Sequence, residues 1–246
     1  MKSLHAELTK LRTLPSTWWL LAATVVLMVA LGAGAVDSVT TQACRQPANC
    51  HEDTVKLSLT GVWLGQTACL VLGVLSMGAE YSTGTIRTTL TAMPVRWRLL
   101  VSKATALSLL TGAAGGVAVL ASLWTARLIL PLSGSTLRPA TGTVLCLVLV
   151  ALLGLSLATL LRDTAAAIIL GLGLLYIVPL LADILNSPTW QHRLERWAPM
   201  PAALSIQATK NLDQLPIAPW PGLGVLAAYA VGLLAAGSVL FRWRDA

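Results

Sequence analysis

Charged residues are scarce in this chain. Asp, Glu, Lys and Arg make up 11% of its 246 residues, whereas 56% are hydrophobic and the mean hydropathy is +0.75. A soluble domain would carry about a quarter charged residues. The polar surface is too small to cover a water-soluble globule, so the composition predicts one membrane-embedded domain spanning residues 1–246.

The usual signatures of an active site are also missing. The three histidines, His5, His51 and His192, lie in different loops, and neither H-E-x-x-H nor G-x-S-x-G occurs. We therefore expect no catalytic, cofactor or metal site and no enzymatic activity. The phosphate-binding pattern G-x-x-x-x-G-K-[ST] is absent too. If the chain transports a cargo uphill, the energy must come from another polypeptide.

The net charge of +7 does not indicate nucleic acid binding. No basic face interleaved with stacking aromatics occurs, and Lys and Arg gather in the cytoplasmic loops of membrane proteins for topological reasons. We therefore expect no nucleic acid partner.

Six apolar runs are each long enough to cross about 30 Å of hydrocarbon. They cover residues 18–36, 59–79, 104–130, 140–161, 164–185 and 220–241. Before them, Leu4, Leu8 and Leu11 recur at helical spacing, with Leu14 as a further member, which predicts an amphipathic leader helix in the headgroup layer. A signal-peptide n-region is the alternative interpretation of this leader. Asp163 is placed to cap the fifth helix.

Six crossings would put both termini on one side. Ten of the 17 Lys and Arg then lie with the termini, which predicts that the termini are cytoplasmic in a multi-pass cell-membrane protein. The tryptophans agree, because each lies near a predicted interface. The inner group is Trp18, Trp19, Trp97 and Trp243, and the outer group is Trp63, Trp124, Trp190, Trp197 and Trp220.

Small residues recur every four positions in the second run, at Gly61, Gly65, Cys69 and Gly73. Such a face lets two helix backbones approach closely in lipid, so we interpret it as a packing seam, with a dimer surface as the alternative. Gly112 and Gly116 repeat the spacing in the third run.

In the 186–219 connection, Ser187-Pro188 predicts one short helix, Pro199 and Pro201 would end it, and Ala202 to Lys210 would form a second. Both are expected to dip into the outer leaflet.

Cysteines and intramembrane charges suggest little chemistry. Cys44 and Cys50 could close a small disulfide loop in an oxidising exterior, with a metal site beside His51 as the weaker alternative. Cys69 and Cys146 are expected to behave as small apolar residues. Arg127 and Asp183 lie near the outer ends of their runs, which disfavours proton or sodium coupling.

The loop between the second and third runs, from Gly78 to Lys103, is longer than a turn requires. It begins Glu80-Tyr81-Ser82-Thr83-Gly84-Thr85-Ile86-Arg87 and continues with Leu90, Pro94, Arg96, Leu99 and Lys103. With the amphipathic leader, the helical external segment between spans five and six and the C-terminal run from Pro219 to Ala246, this pattern resembles the permease subunits of type-2 ABC transporters over essentially the whole chain.

This resemblance implies an all-α membrane protein with six transmembrane helices, an N-terminal amphipathic helix, a cytoplasmic coupling helix after span two and short external helices between spans five and six. The coupling helix would cover about Thr85 to Met93. The residues expected to contact the ATPase are Glu80, Gly84, Thr85, Ile86, Arg87, Leu90, Pro94 and Arg96. Glu80 and Arg87 would contact the ATPase or the leader helix. A solvated surface pair is the alternative.

The implied partners are two copies of an ABC ATPase that carries ATP and Mg, a second permease chain in a homodimer or heterodimer, and membrane lipid. The expected function is ATP-driven export of an amphipathic small molecule, antibiotic or lipid by alternating access. The alternatives are a non-transporting membrane scaffold or sensor subunit and, third, an ion-coupled secondary transporter that uses Asp183.

Overall fold

A computed structural model describes residues 2–42, 53–85, 96–129, 135–184, 194, 196–210 and 212–243. Side chains at several ends of these ranges are not described, namely those of residues 2–4, 40–42, 96, 182–184, 214 and 241–243. The predicted loop residues Ile86, Arg87, Leu90 and Pro94 lie outside the described residues, as do Cys44 and Cys50. The predicted coupling helix therefore lies almost wholly outside them as well.

The described chain is helical, and six of its helices are long and apolar enough to cross a membrane. This confirms the predicted all-α class and the number of spans, and it makes the chain a multi-pass membrane protein by length and composition. The helices are α1 (Lys2–Thr13), α2 (Pro15–Gln42), α3 (Thr54–Ser58), α4 (Val62–Ser82), α5 (Arg96–Ile129), α6 (Leu137–Leu161), α7 (Thr164–Leu172), α8 (Val178–Ile184), α9 (Pro199–Leu204) and α10 (Pro219–Trp243).

The third span begins earlier than expected. Its apolar segment runs over Trp97–Ile129 inside α5, whereas the hydropathy pattern predicted a start near Ala104. Arg96 is the first residue of α5, so Lys103 lies about two turns inside the helix. A hydropathy reading counts Lys103 as loop because of its charge, although the helix continues through it.

The two central helices are α4 and α6. About two thirds of the most apolar window of α4 is buried (67%), against 17% for the fifth span and 22% for the sixth. The fifth span consists of α7, a π-helical turn at Gly173–Ile177 and α8. Pro179 explains the widened turn, because its ring lacks an N–H and clashes with the carbonyl four residues earlier.

The predicted small-residue seam is a packing surface within the chain. An added Cβ at Gly61 would lie 2.3 Å from the Met28 carbonyl oxygen of α2, and one at Gly73 would lie 2.0 Å from the Ala151 carbonyl oxygen of α6. The seam thus joins α4 to both neighbours rather than to a second chain at these positions. Gly116, by contrast, has nothing within 4 Å of its added Cβ.

We call the end of the bundle at which α1 lies the leader end. It also holds the last turn of α4, the first turns of α5 and the α6–α7 turn. In that turn Arg162 adopts a left-handed φ of 56°, and Asp163 then caps α7 by accepting a 2.6 Å hydrogen bond from the amide of Ala166. The cap predicted for Asp163 is confirmed.

The opposite end, which we call the far end, is closed by residues 199–210. Pro199 begins α9, because proline suits the first helical turn, and the 3₁₀ turn Ser205–Gln207 follows. Leu194, Arg196 and Trp197 are helical as well, and a bend at Ala198 separates them from Pro199. Met200, Ala202, Ala203 and Ile206 are at most 1% exposed. The segment therefore packs on the bundle through these apolar side chains.

Hydrogen bonds join residues 207–210 to α6 and to Asp53, which precedes α3. Gln207 donates to the Thr143 hydroxyl at 3.1 Å, and Arg138 donates to the Ala208 carbonyl. Asp53 caps α3 at the Lys56 amide and also accepts hydrogen bonds from the Thr209 hydroxyl at 2.7 Å and the Lys210 amide at 3.1 Å. Burial alone would raise the pKa of Asp53, but these hydrogen bonds outweigh it and lower the pKa below its ordinary value of 3.8.

We expect Gly73→Ala to lower the free energy of unfolding by about 1–3 kcal/mol, because its Cβ would overlap the carbonyl of Ala151. Gly116→Ala is the matched control. It should be neutral or stabilising by about 0.5–1 kcal/mol, since alanine favours a helix. Denaturant titration in detergent, followed by circular dichroism, measures both. Equal effects of the two changes would contradict the close approach of α4 and α6.

We expect Asp53→Asn to destabilise the protein by about 1 kcal/mol near neutral pH, allowing for the partial exposure of the carboxylate. A lowered folded-state pKa means that ionised Asp53 stabilises the fold above about pH 4 and that this contribution is lost as the pH falls. The difference between wild type and variant should therefore shrink on acidification. Asp213→Asn, at an exposed carboxylate, is the control. A difference independent of pH would contradict the assignment.

Candidate functional site

Four charged side chains meet at the leader end, and we call them the charged cluster: Glu7 and Lys10 of α1, Glu80 of α4 and Lys103 of α5. The Lys103 ammonium lies 2.9 Å from Glu7 Oε2 and 2.9 Å from Glu80 Oε1. The Lys10 ammonium also contacts Glu80 Oε1. Two acids and two bases give the cluster no net formal charge.

The charged cluster is buried apart from one member. Glu7, Glu80 and Lys103 are 4%, 1% and 1% exposed, whereas the Lys10 side chain is 43% exposed. Moving such charges out of water costs several kcal/mol per ion. Ion pairs and hydrogen bonds must offset this cost. Lys103 meets this requirement, because the Ser76 carbonyl accepts its third proton at 3.0 Å.

The local sequence explains how the leader helix reaches this site. Glu7 and Leu11 are one turn apart on α1, and both are buried, with Leu11 3% exposed. This face packs mainly on α5 and less on α2, so α1 is anchored to the bundle by an ion pair and an apolar contact. The amphipathic stripe therefore docks on protein at Leu11. Leu14 does not extend the stripe, because it is 40% exposed and lies after the end of the helix.

Of the site residues predicted from the sequence, the structure describes Glu80, Gly84 and Thr85 with their side chains, and the others lie outside its described part. Glu80 is buried in the cluster, so the alternative of a solvated surface charge does not describe it. Gly84 follows the end of α4 with a φ of 69°, a left-handed conformation that glycine adopts without strain and that turns the chain out of the helix. Thr85 is exposed and shares a 2.9 Å hydrogen bond with Thr83. The Arg96 side chain and the remaining loop residues are outside the described part.

One oxygen of the cluster is unused. Glu80 Oε2 is buried and accepts no hydrogen bond from the residues that the structure describes. It belongs to the last turn of α4, a few residues before the loop that contains Arg87. A carboxylate oxygen in such a position is suited to a further donor.

Two adjacent residues extend the site. The Arg162 guanidinium lies 5.7 Å from the centre of the Tyr81 ring, which connects the end of α4 to the α6–α7 turn. The leader end therefore joins α1, α4, α5 and the α6–α7 turn through polar contacts. A displacement of the end of α4 would act on all of them.

Sequence reasoning missed Glu7 and Lys103 as members of this site. The available signals were a glutamate between Leu4 and Leu8 on the leader and a lysine beside an apolar run. An ionisable residue at the margin of a span requires a partner, and Glu7, Glu80 and Asp163 are the described acids at the leader end. Their meeting depends on the packing of α1, which periodicity does not specify.

The chain was compared with known protein families and with curated proteins, and neither comparison found a match.

We expect Lys103→Met to destabilise the protein by about 3–5 kcal/mol, because it leaves two buried carboxylates facing one partly exposed lysine. Lys10→Met should cost no more than about 1 kcal/mol, since Lys10 is solvated. The double variant Glu7→Gln/Lys103→Met restores neutrality and should cost less than the sum of its single changes. Thermal unfolding in detergent measures these differences. Equal losses for Lys103→Met and Lys10→Met would contradict a buried, mutually neutralised cluster.

Proposed function

We propose that the chain is the membrane permease subunit of an ATP-driven ABC exporter whose ATPase is a separate polypeptide. In this proposal the leader end faces the cytoplasm, so both termini and the loop at residues 83–95 lie there. The excess of Lys and Arg in these segments supports that orientation. The absence of a phosphate-binding sequence motif supports a separate source of energy.

The charged cluster is the observation that carries the proposal. The loop leaves the bundle just after Glu80 and re-enters it at Arg96, two turns before Lys103. The Lys103–Glu80 pair ties these two helices together, and Glu7 adds the leader helix. A force applied to the loop would therefore move α1, α4 and α5 as one unit instead of separating them.

A coupling helix within residues 85–93 would be the site at which that force enters. Its expected ATPase-contacting residues are Gly84, Thr85, Ile86, Arg87, Leu90, Pro94 and Arg96, with Glu80 at its base. The unused Glu80 Oε2 suits a donor from this loop, and Arg87 is the candidate. The ATPases would be present in two copies and would hold ATP and Mg.

The weakly covered fifth span supports a second permease chain. With 17% of its most apolar window buried, it presents the least covered surface among the six spans. Closure of the ATPases would tilt the two permease chains relative to each other and open a path for an amphipathic small molecule, antibiotic or lipid. The short helix α9 and the far end would then face the exterior.

The test is affinity purification of the full chain from its own membranes, followed by an assay of ATP hydrolysis. We expect an ATPase to co-purify with wild type and its recovered activity to fall at least about tenfold for Arg87→Glu/Thr88→Pro, because both changes disrupt the loop contact. Lys56→Glu, an exposed charge reversal at the far end, is the control and should retain the activity.

Each alternative gives a different result. A scaffold or sensor subunit would leave ATP hydrolysis unchanged when the chain is added back to the ATPase. An ion-coupled transporter would move cargo in vesicles that contain the purified chain alone, and Asp183→Asn would abolish that transport. Retention of full ATPase activity by the loop variant would show that the coupling assignment is wrong.

A further inference from the structure

A groove of about 560 Å³ runs along the bundle between α1, α2 and α5. Apolar side chains line most of it, and the small side chains of Ala22 on α2 and Ala113 on α5 are among them. Its size lies within the range of small-ligand sites. Along α5 it extends from Leu109 to Val117, about 12 Å at the helical rise of 1.5 Å per residue.

The leader end of this groove carries a cation. Arg12 lines the groove and is exposed. Both acids of the charged cluster are engaged with Lys10 and Lys103, so Arg12 has no acidic partner among the residues that the structure describes. Trp18 lies beside it, held by a 2.8 Å hydrogen bond from its indole N–H to the Arg12 carbonyl. The groove therefore has a polar end, formed by a guanidinium and an indole, and an apolar length. These match the headgroup and the acyl chain of a lipid.

We infer that an anionic phospholipid binds in this groove, with its phosphate at Arg12 and one acyl chain between α2 and α5. Arginine pairs with phosphate oxygens through several N–H donors. The charge supports an anionic headgroup rather than a zwitterionic one, because a choline headgroup places its own cation beside the phosphate and so weakens the attraction to the Arg12 guanidinium. A second copy of the chain is disfavoured, since helix seams in lipid form where two flat faces approach closely, whereas this surface is a groove of about 560 Å³. The bound lipid would join α1 to α2 and α5.

The experiment measures lipid binding to the purified, delipidated full chain by native mass spectrometry. The probes are dimyristoylphosphatidylglycerol, dimyristoylphosphatidylcholine, which has the same acyl chains, and inorganic phosphate alone. We expect wild type to bind the phosphatidylglycerol roughly fivefold more tightly than the phosphatidylcholine. Phosphate alone should bind too weakly to be detected.

Two changes test the two parts of the site. Arg12→Gln should abolish the preference for the anionic headgroup, and Arg98→Gln should preserve it, because the Arg98 guanidinium lies 5.7 Å from the Trp97 ring centre and does not line this groove. Ala113→Phe should fill the groove and reduce binding of both lipids. Ala235→Phe is its control, since Ala235 lines a different groove between α5, α6 and α10.

Several outcomes would overturn the inference. These are equal affinities of wild type for the two lipids, an equal loss in Arg98→Gln, and binding of phosphate as strong as that of the lipid. Unchanged binding in a folded Ala113→Phe variant would also exclude the groove. A change of oligomeric state in Ala113→Phe without a change in lipid binding would assign the groove to a second copy of the chain. None of these readouts depends on ATPase coupling, so they test the lipid site separately from the proposed function.

Discussion

Neutralisation of the Lys103 ammonium is the constraint on which the leader end depends. An isolated charge in a low-dielectric interior costs several kcal/mol, and this one is 1% exposed. Glu7, Glu80 and the Ser76 carbonyl accept its three protons. Because these acceptors belong to two different helices besides α5, satisfying one charge determines how α1, α4 and α5 are placed.

The central packing follows from a different constraint, the absence of a hydrophobic driving force between helices in lipid. Helices then associate through close contact and internal hydrogen bonds. Gly73 and Gly154 remove side-chain bulk where α4 and α6 approach, with added Cβ atoms 2.0 and 2.3 Å from carbonyl oxygens of the other helix. Thr67 and Tyr176 share a 2.6 Å hydrogen bond at the π-helical turn, which secures the otherwise exposed fifth span.

The two ends of the bundle are therefore stabilised in different ways. The leader end uses full charges in a buried cluster, next to a loop that begins at a glycine with positive φ. The far end uses neutral hydrogen bonds of Gln207 and two separate charges, Arg138 and the partly solvated Asp53, each of which bonds to neutral groups rather than to an opposite charge. A charged network changes its energy steeply with geometry, since Coulomb interactions in a low dielectric are large. This makes the leader end the more suitable place for an applied force to alter the helix arrangement.

Local sequence was sufficient to predict the class of fold, the number of spans, the leader helix and the Asp163 cap. Each of these depends on hydropathy or on hydrogen bonds within a few residues, so neighbouring positions in the chain contain the necessary information. Residues 199–210 were predicted less well, because proline can end one helix and begin the next. Glu80 was predicted to contact the ATPase or the leader helix, and Lys10 of the leader does contact it, but neither Lys10 nor Lys103 was predicted as its partner.

Tertiary structure alone decided which charges meet. Glu7 and Lys103 are separated by 96 residues, and their pairing depends on the direction in which α1 folds back across the bundle. The burial of residues 199–210 and the position of the groove beside Arg12 depend on the same long-range packing. Hydropathy and periodicity describe how each segment meets its solvent, whereas contacts between segments depend on the complementary shapes and charges of surfaces distant in sequence.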